Sequence, residues 1–232
     1  MKGEASKLKI TLKIGGHAFP NQPDLKKIAA YTTTIKNHWK KGCSFLVVTG
    51  GGETARRYIK IARMLGADET VCDQIGIEVS RLNARLIISK LGELAYPEVP
   101  TTLEDVRKVY SLGKIVVMGG LTPGHSTTAV GSLAAEATGS DLYIIASNVD
   151  GIYTCDPKKY RNAKKLKKIT TKKMIELALS EKYQAGTYAL DPISIKVMER
   201  SKIHARFING ENLRNLDKAI KGENIGTLIA AK

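Results

Sequence analysis

Residues 116–130 read VVMGGLTPGHSTTAV. Val116, Val117 and Met118 close an apolar run suited to a buried strand. Gly119, Gly120, Pro123 and Gly124 break it, and from Thr128 to Thr138 an alanine-rich stretch carries a helical pattern. A strand, a glycine-rich loop and a helix in that order form the repeating unit of a parallel sheet, with the loop at the carboxyl edge. Backbone N–H groups left free in such a loop, beside a helix start, gather where an anion satisfies them. The stretch therefore predicts an α/β architecture and a phosphate-bearing ligand together.

The same unit recurs on both sides. Leu8 to Ile14 alternates apolar and polar residues like a strand and ends at Gly15-Gly16; Leu25, Ile28, Ala29, Ile35 and Trp39 then recur at helical spacing up to Gly42. Phe45-Leu46-Val47-Val48 is a short apolar strand followed by Gly50-Gly51-Gly52. A helix is predicted over Glu53 to Leu65, with Ala55, Tyr58, Ile59, Ala62 and Leu65 on one side, and a long one over Thr70 to Leu91, interrupted at Gly76. Thr102 opens another helix as a side-chain cap, ahead of a strand over Lys114 to Met118. Leu142 to Ala146 is strand and Ser147 to Gly151 a turn. Helices follow from Thr170 to Leu179, Asp191 to Ser201 and Asn212 to Lys221, with strands over Arg206 to Ile208 and Thr227 to Ala230. Alternation of this kind predicts a three-layer αβα sandwich around a mostly parallel sheet, with residues 1–232 as a single domain. Four unusual loops fall at the carboxyl edge: Gly15-Gly16-His17, Gly50-Gly51-Gly52, Gly119 to Thr128, and Ser147 to Gly151. One shared site is the simplest use of four converging loops, the first three of which are expected to feed helix starts.

With 43% hydrophobic residues the chain has the material for a core. No apolar run is long enough to span a bilayer and MKGEASKLK carries no signal-peptide core, so a cytoplasmic location is expected. The three cysteines are far apart, which suits reduced, structural thiols. The net charge of +15 is concentrated in Lys158 to Lys173, KKYRNAKKLKKITTKK, which holds nine basic residues and no acid. A solvated surface, attraction of anionic metabolites and nucleic-acid binding all fit such a run; the lack of interleaved aromatics beyond Tyr160 and of any nucleic-acid motif argues against the last.

The chain has no GxxxxGK[ST] loop and no GxGxxG, which removes the common nucleotide motifs. Lys13-Ile14-Gly15-Gly16, VTGGG with Arg56, GGLTPGHST and NVDGIYTCDP, in that order, resemble the amino acid kinase superfamily. DQIGIEVSRLNA (residues 73–84), AGTYALDPISIKVMERSKI and the closing GTLI extend the resemblance to nearly the whole chain, and it is closest to the archaeal type of uridylate (UMP) kinase. The resemblance implies transfer of the γ-phosphoryl group of ATP to UMP with Mg²⁺, in a cytoplasmic homohexamer. It implies an acceptor part over roughly residues 1–140 and an ATP part over the rest. Other branches of the superfamily, the isopentenyl phosphate, carbamate and acetylglutamate kinases, are the alternatives, as is a non-catalytic nucleotide or nucleic-acid binder. The second glycine loop, VTGGGETARR, lacks the histidine expected of an isopentenyl phosphate kinase.

By the same resemblance Lys13 touches the transferring phosphate and Asp141 orients it or the metal. ATP lies against Gly16, His17, Gly52, Arg56, Ser147, Asn148, Tyr153 and Asp156. UMP lies against Gly51, Asp73 and the segment Leu121, Thr122, Pro123, Gly124, His125, Ser126 and Thr127. Asp73 is expected to accept from ribose hydroxyls, and Thr122, Ser126 and Thr127 to donate hydroxyls. The alternation of Lys13 with Leu12 and Ile14 also permits a solvent-facing lysine on an edge strand. No protein ligand to a metal is assigned.

Overall fold

The computed structural model describes residues 8–157, 159–180 and 191–231. Lys158 of the basic run and the AGTYAL portion of AGTYALDPISIKVMERSKI lie outside the described residues. The strands are β1 (Lys9–Ile14), β2 (Ser44–Thr49), β3 (Val116–Met118), β4 (Leu142–Ser147), β5 (Ile152–Tyr153), β6 (Lys165–Leu166), β7 (Lys168–Thr170), β8 (His204–Asn209) and β9 (Thr227–Ala230). The helices are α1 (Leu25–Lys40), α2 (Gly52–Met64), α3 (Glu69–Leu91), α4 (Leu103–Tyr110), α5 (Thr127–Thr138), α6 (Thr171–Ala178), α7 (Pro192–Ser201) and α8 (Arg214–Ile220).

Seven strands form one sheet in the order β3-β2-β1-β4-β8-β9-β7. From β3 to β8 all neighbours are parallel; β9 pairs antiparallel with β8, and β7 parallel with β9. Strands buried on both faces read as apolar runs, which is why Phe45 to Val48 and Ile144 to Ala146 are so legible. Ile28, Tyr31 and Ile35 of α1, Ala84, Ile87 and Leu91 of α3 and Leu216 and Ala219 of α8 cover one part of the core. Val106 and Val109 of α4 with Val130 and Ala134 of α5, and Met174 of α6 with Ile195 and Met198 of α7, pack into two others. The expected layered sheet is therefore present.

Side-chain caps start the helices where the sequence places them. Asp24 accepts from the N–H groups of Lys26 and Lys27, Thr102 from Asp105, Thr170 from Lys173 and Asp191 from Ser194. α3 runs unbroken through Gly76. Three expectations change. α2 packs on α3, leaving Tyr58 60% and Leu65 82% exposed instead of on a core face. The basic run contains β6 and β7, with β6 pairing antiparallel to β5; strands of two or three residues are too short to show an alternation. β1 lies between β2 and β4, so Lys13 is on a central strand and only 4% exposed.

Candidate active site

β1 is flanked by β2 on one side and β4 on the other, so the chain leaves their carboxyl ends in opposite directions and opens a crevice there. The crevice is a cleft of about 870 Å³. That volume lies near the upper end of small-ligand pockets and exceeds what one phosphate needs. All four unusual loops contribute: Gly15, Gly16 and His17 after β1; Gly50, Gly51 and Gly52 after β2; Gly120 and Gly124 to Thr127 after β3; and Ser147, Asn148 and Gly151 after β4.

The first two loops touch through their backbones. Gly52 has φ +71, and a Cβ there would stand 2.1 Å from the Phe19 carbonyl oxygen; a Cβ on Gly16 would stand 2.7 Å from the Gly52 Cα. Side chains at these positions would hold the loops apart. α2 begins at Gly52 and α5 at Thr127, so two helix N-termini border the cleft. The first loop differs from expectation: it enters a three-residue 3-10 turn, Gly16–Ala18, and α1 begins only at Leu25.

Lys13 lies at the cleft's inner end, where burial lowers its ammonium from 10.5 to about 8. The His17 ring is fixed by its Nε2, 3.1 Å from the Tyr31 hydroxyl, which in turn donates to the Gly210 carbonyl at 3.0 Å. Because the single tyrosine proton goes to Gly210, His17 Nε2 is the protonated ring nitrogen. Burial, the largest influence, draws its pKa down to about 4, so the imidazole is neutral near pH 7.

Helix α3 holds the loop after β3. Asp73 Oδ2 accepts the Gly124 N–H at 2.7 Å, Ser80 Oγ accepts the Gly120 N–H at 2.7 Å, and the Arg81 guanidinium donates to the carbonyls of Gly120 and Leu121 at 3.1 and 3.3 Å. Ser126 caps α5 through the N–H groups of Thr128 and Ala129, and its hydroxyl donates to Asp191 Oδ2. The hydroxyl expected to face a ligand is thus engaged in the fold. Leu121 packs against the apolar cluster of Val48, Val116 and Met118, and neither it, Thr122 nor Pro123 lines the cleft.

Beyond β4, Ser147, Asn148, Tyr153 and Asp156 line the other end of the cleft, and Arg56 reaches its wall from α2. The Tyr153 hydroxyl donates to Asp150 Oδ1 at 2.5 Å, and Lys165 Nζ to Asp150 Oδ2 at 3.1 Å. The tyrosine hydroxyl first, and the lysine after it, hold the Asp150 carboxyl below its usual range, while Asp150 pushes Tyr153 up to about 12. Asp141 is a correction. It stands before β4, where its carboxylate accepts the Lys9 N–H at 2.8 Å and its own N–H donates to the Lys9 carbonyl at 2.9 Å. Both residues are at the amino ends of their strands, four residues before Lys13 and its register partner Ile145, about 13 Å of extended chain, so Asp141 orients neither Lys13 nor a metal.

Gly76, Ile77 and Ser80, which line the cleft, and Asn83, which backs its second glycine loop, were missed. With Asp73 they recur at three- and four-residue spacing along α3, one helix face in the segment DQIGIEVSRLNA, and that period was the available signal.

The pattern of the Amino acid kinase family matches residues 9–209. A uridylate kinase from Methanobrevibacter smithii is 42% identical over 226 residues, covering 97% of this chain and 100% of that protein. One from Methanosarcina mazei is 42% identical over 231 residues, covering 96% and 99%. The crystal structure of the uridylate kinase from Archaeoglobus fulgidus superposes with a TM-score of 0.87 at 39% identity, covering 96% of this chain and all of that one. The UMP kinase from Bacillus anthracis, 21% identical with a TM-score of 0.81 and coverage of 97% and 96%, shares the fold. A match across residues 9–209, in a chain whose glycine corners meet in one cleft, shows that the protein belongs to the amino acid kinase family.

Proposed function

We propose that the protein transfers the γ-phosphoryl group of ATP to UMP, giving ADP and UDP. The observation that carries this reading is the meeting of four loops in one cleft with Lys13 at its inner end. The near-full-length likeness to uridylate kinases supports the choice of nucleotide. UMP is read against Gly51, Asp73 and the segment Gly124 to Thr127, on the β2 and β3 side. ATP is read against Gly16, His17, Gly52, Arg56, Ser147, Asn148, Tyr153 and Asp156, towards β4. The acceptor and donor parts then divide near residue 140, within one domain.

A phosphate monoester has a second pKa near 6, so at neutral pH the UMP phosphate oxygen is already an anion and needs no general base. That oxygen bonds to the γ-phosphorus as the bond to the β,γ-bridging oxygen breaks, and the electron pair leaves with ADP. The protein must bring two polyanions into line and offset the charge as it moves. Backbone amides at Gly16, Gly51 and Gly52, the N-termini of α2 and α5, Lys13 and Arg56 are the means it has. Among the described residues no group of three or more His, Cys, Asp or Glu is arranged to hold a metal ion. Mg²⁺ carried on the nucleotide phosphates would supply charge neutralisation there.

No described helix is long and apolar enough to cross a membrane, and the reading places the enzyme in the cytoplasm with its substrates. Tyr58, Ile61 and Met64 of α2, Leu65 just beyond it and Leu82 of α3 leave an exposed apolar surface, which we read as a contact within the homohexamer implied by resemblance. The test is a phosphoryl-transfer screen of purified protein with ATP-Mg²⁺ against UMP, CMP, dUMP, carbamate, acetylglutamate and isopentenyl phosphate. UMP is expected to be the preferred acceptor; preference for a non-pyrimidine acceptor, or salt-sensitive RNA binding without turnover, overturns the reading.

A further inference from the structure

We infer that Asn83 is a positioning residue that aims two backbone amides of the second glycine loop at the phosphates, one on each side of the transfer. The inference rests on the reading of the cleft as a site for two phosphorylated nucleotides. Asn83 lies on α3 and is only 5% exposed. Its Nδ2 donates to the Gly50 carbonyl at 2.8 Å and the Gly51 carbonyl at 3.3 Å. Two carbonyl neighbours accept and never donate, so the amide is held with its NH₂ group towards the loop.

A peptide unit is planar and trans, so the carbonyl of one residue and the N–H of the next point in opposite directions. Drawing the Gly50 carbonyl towards α3 turns the Gly51 N–H away from it, into the cleft. Drawing the Gly51 carbonyl the same way does so for the Gly52 N–H. The Gly51 carbonyl also accepts from Ala55 N–H at 3.4 Å, as the carbonyl preceding a helix does. Among the described residues neither the Gly51 nor the Gly52 N–H donates to a protein acceptor. Both glycines line the cleft. Gly51 is read on the UMP side and Gly52 on the ATP side, which puts the amides controlled by one side chain on either flank of the moving phosphoryl group.

The backing continues along the helix. The Thr49 hydroxyl, fully buried, shares its one proton between the Ser80 carbonyl at 2.8 Å, the nearer, and the Met118 carbonyl at 3.2 Å. That pins the carboxyl ends of β2 and β3 to α3 one turn before Asn83. The loop is thus held at its base by Thr49 and oriented at its tip by Asn83, whose loss leaves the base in place.

Asn83→Ala removes both donors, and Asn83→Ser keeps one hydroxyl donor on a shorter arm. Kd for UMP and for uridine by competition calorimetry, with kcat and KM for both nucleotides, separates orientation from general damage. Asn83→Ala is expected to weaken UMP at least tenfold and uridine less than twofold, and to lower kcat at least tenfold, with Asn83→Ser intermediate. Equal loss for UMP and uridine, or unchanged kcat and UMP affinity, overturns the inference. A wild-type protein that shows no UMP turnover, yet whose Asn83→Ala variant loses phosphate-bearing ligands selectively, would reject the proposed reaction and leave the role of Asn83 standing.

Discussion

Asp73 Oδ2 and the Gly124 N–H are 2.7 Å apart, joining the first turns of α3 to the tip of the loop after β3. One carboxylate oxygen therefore shapes the loop after β3, and the proposed contact with ribose falls to the other. Asn at this position keeps an oxygen for Gly124 and replaces the remaining acceptor with a donor. Asp73→Asn is expected to raise the Kd for UMP about tenfold, roughly 1.4 kcal/mol, near the lower end for one hydrogen bond to a charged group, while ATP binding changes less than twofold. Calorimetric titration of each nucleotide decides it; equal losses would reject the assignment of Asp73 to UMP.

Burial of the Lys13 ammonium costs the folded state stability. Its pKa is lowered from 10.5 to about 8. Below pH 8 the group is charged in both folded and unfolded chains, and the folded state carries the whole desolvation cost, about 3 kcal/mol. Between pH 8 and 10.5 the folded state has released the proton that the unfolded state still binds, and the cost is relieved as pH rises. Lys13→Met is therefore expected to be more stable than wild type at pH 7 and to lose that advantage by pH 10, with kcat lowered at least a hundredfold. Denaturant melts at the two pH values check the sign; a variant less stable at pH 7 contradicts it.

The fold was legible because β2, β3 and β4 are concentrated apolar runs ending in glycine or a hydroxyl residue, as at Val48-Thr49 and Met118-Gly119, and β1 alternates up to Gly15-Gly16. The cleft was legible because glycine corners following successive strands must share the carboxyl edge. The outward side of α2 was not: Tyr58 and Leu65 mimic a core stripe, and sequence cannot tell a stripe that meets the sheet from one left exposed. Ser126 precedes a helical pattern, which is also a cap signal, so its engagement by Thr128 and Ala129 was open to reading. The direction of β4 was available too. A residue that precedes a parallel strand sits at the edge opposite the site, which excludes Asp141 without coordinates.

Asp141→Asn supplies a control from that far edge. Its carboxylate serves the Lys9 N–H, an exposed bond that an asparagine oxygen can also make. Stability is expected to fall by less than about 1 kcal/mol, the usual worth of such a bond, with kcat and both KM values within twofold of wild type. A kcat loss of a hundredfold in a stably folded variant would return Asp141 to the chemistry.

Ser126 gives the opposite pairing of effects. Its oxygen accepts two N–H groups of the first turn of α5, and its proton goes to Asp191, the cap of α7, so one hydroxyl joins two helix starts. Removing a serine cap costs about 1 kcal/mol, up to 2, and each kcal/mol moves Tm by roughly 2–4 °C in a domain of this size. Ser126→Ala is expected to lower Tm by about 2–8 °C and to weaken UMP by less than fivefold. Ser126→Asn, which can cap with Oδ1 and donate to Asp191 with Nδ2, is expected to recover most of the Tm. Calorimetric melts and UMP titrations on the same samples separate the two roles: a large loss of UMP affinity with Tm unchanged would mean that the hydroxyl turns to the nucleotide when it binds.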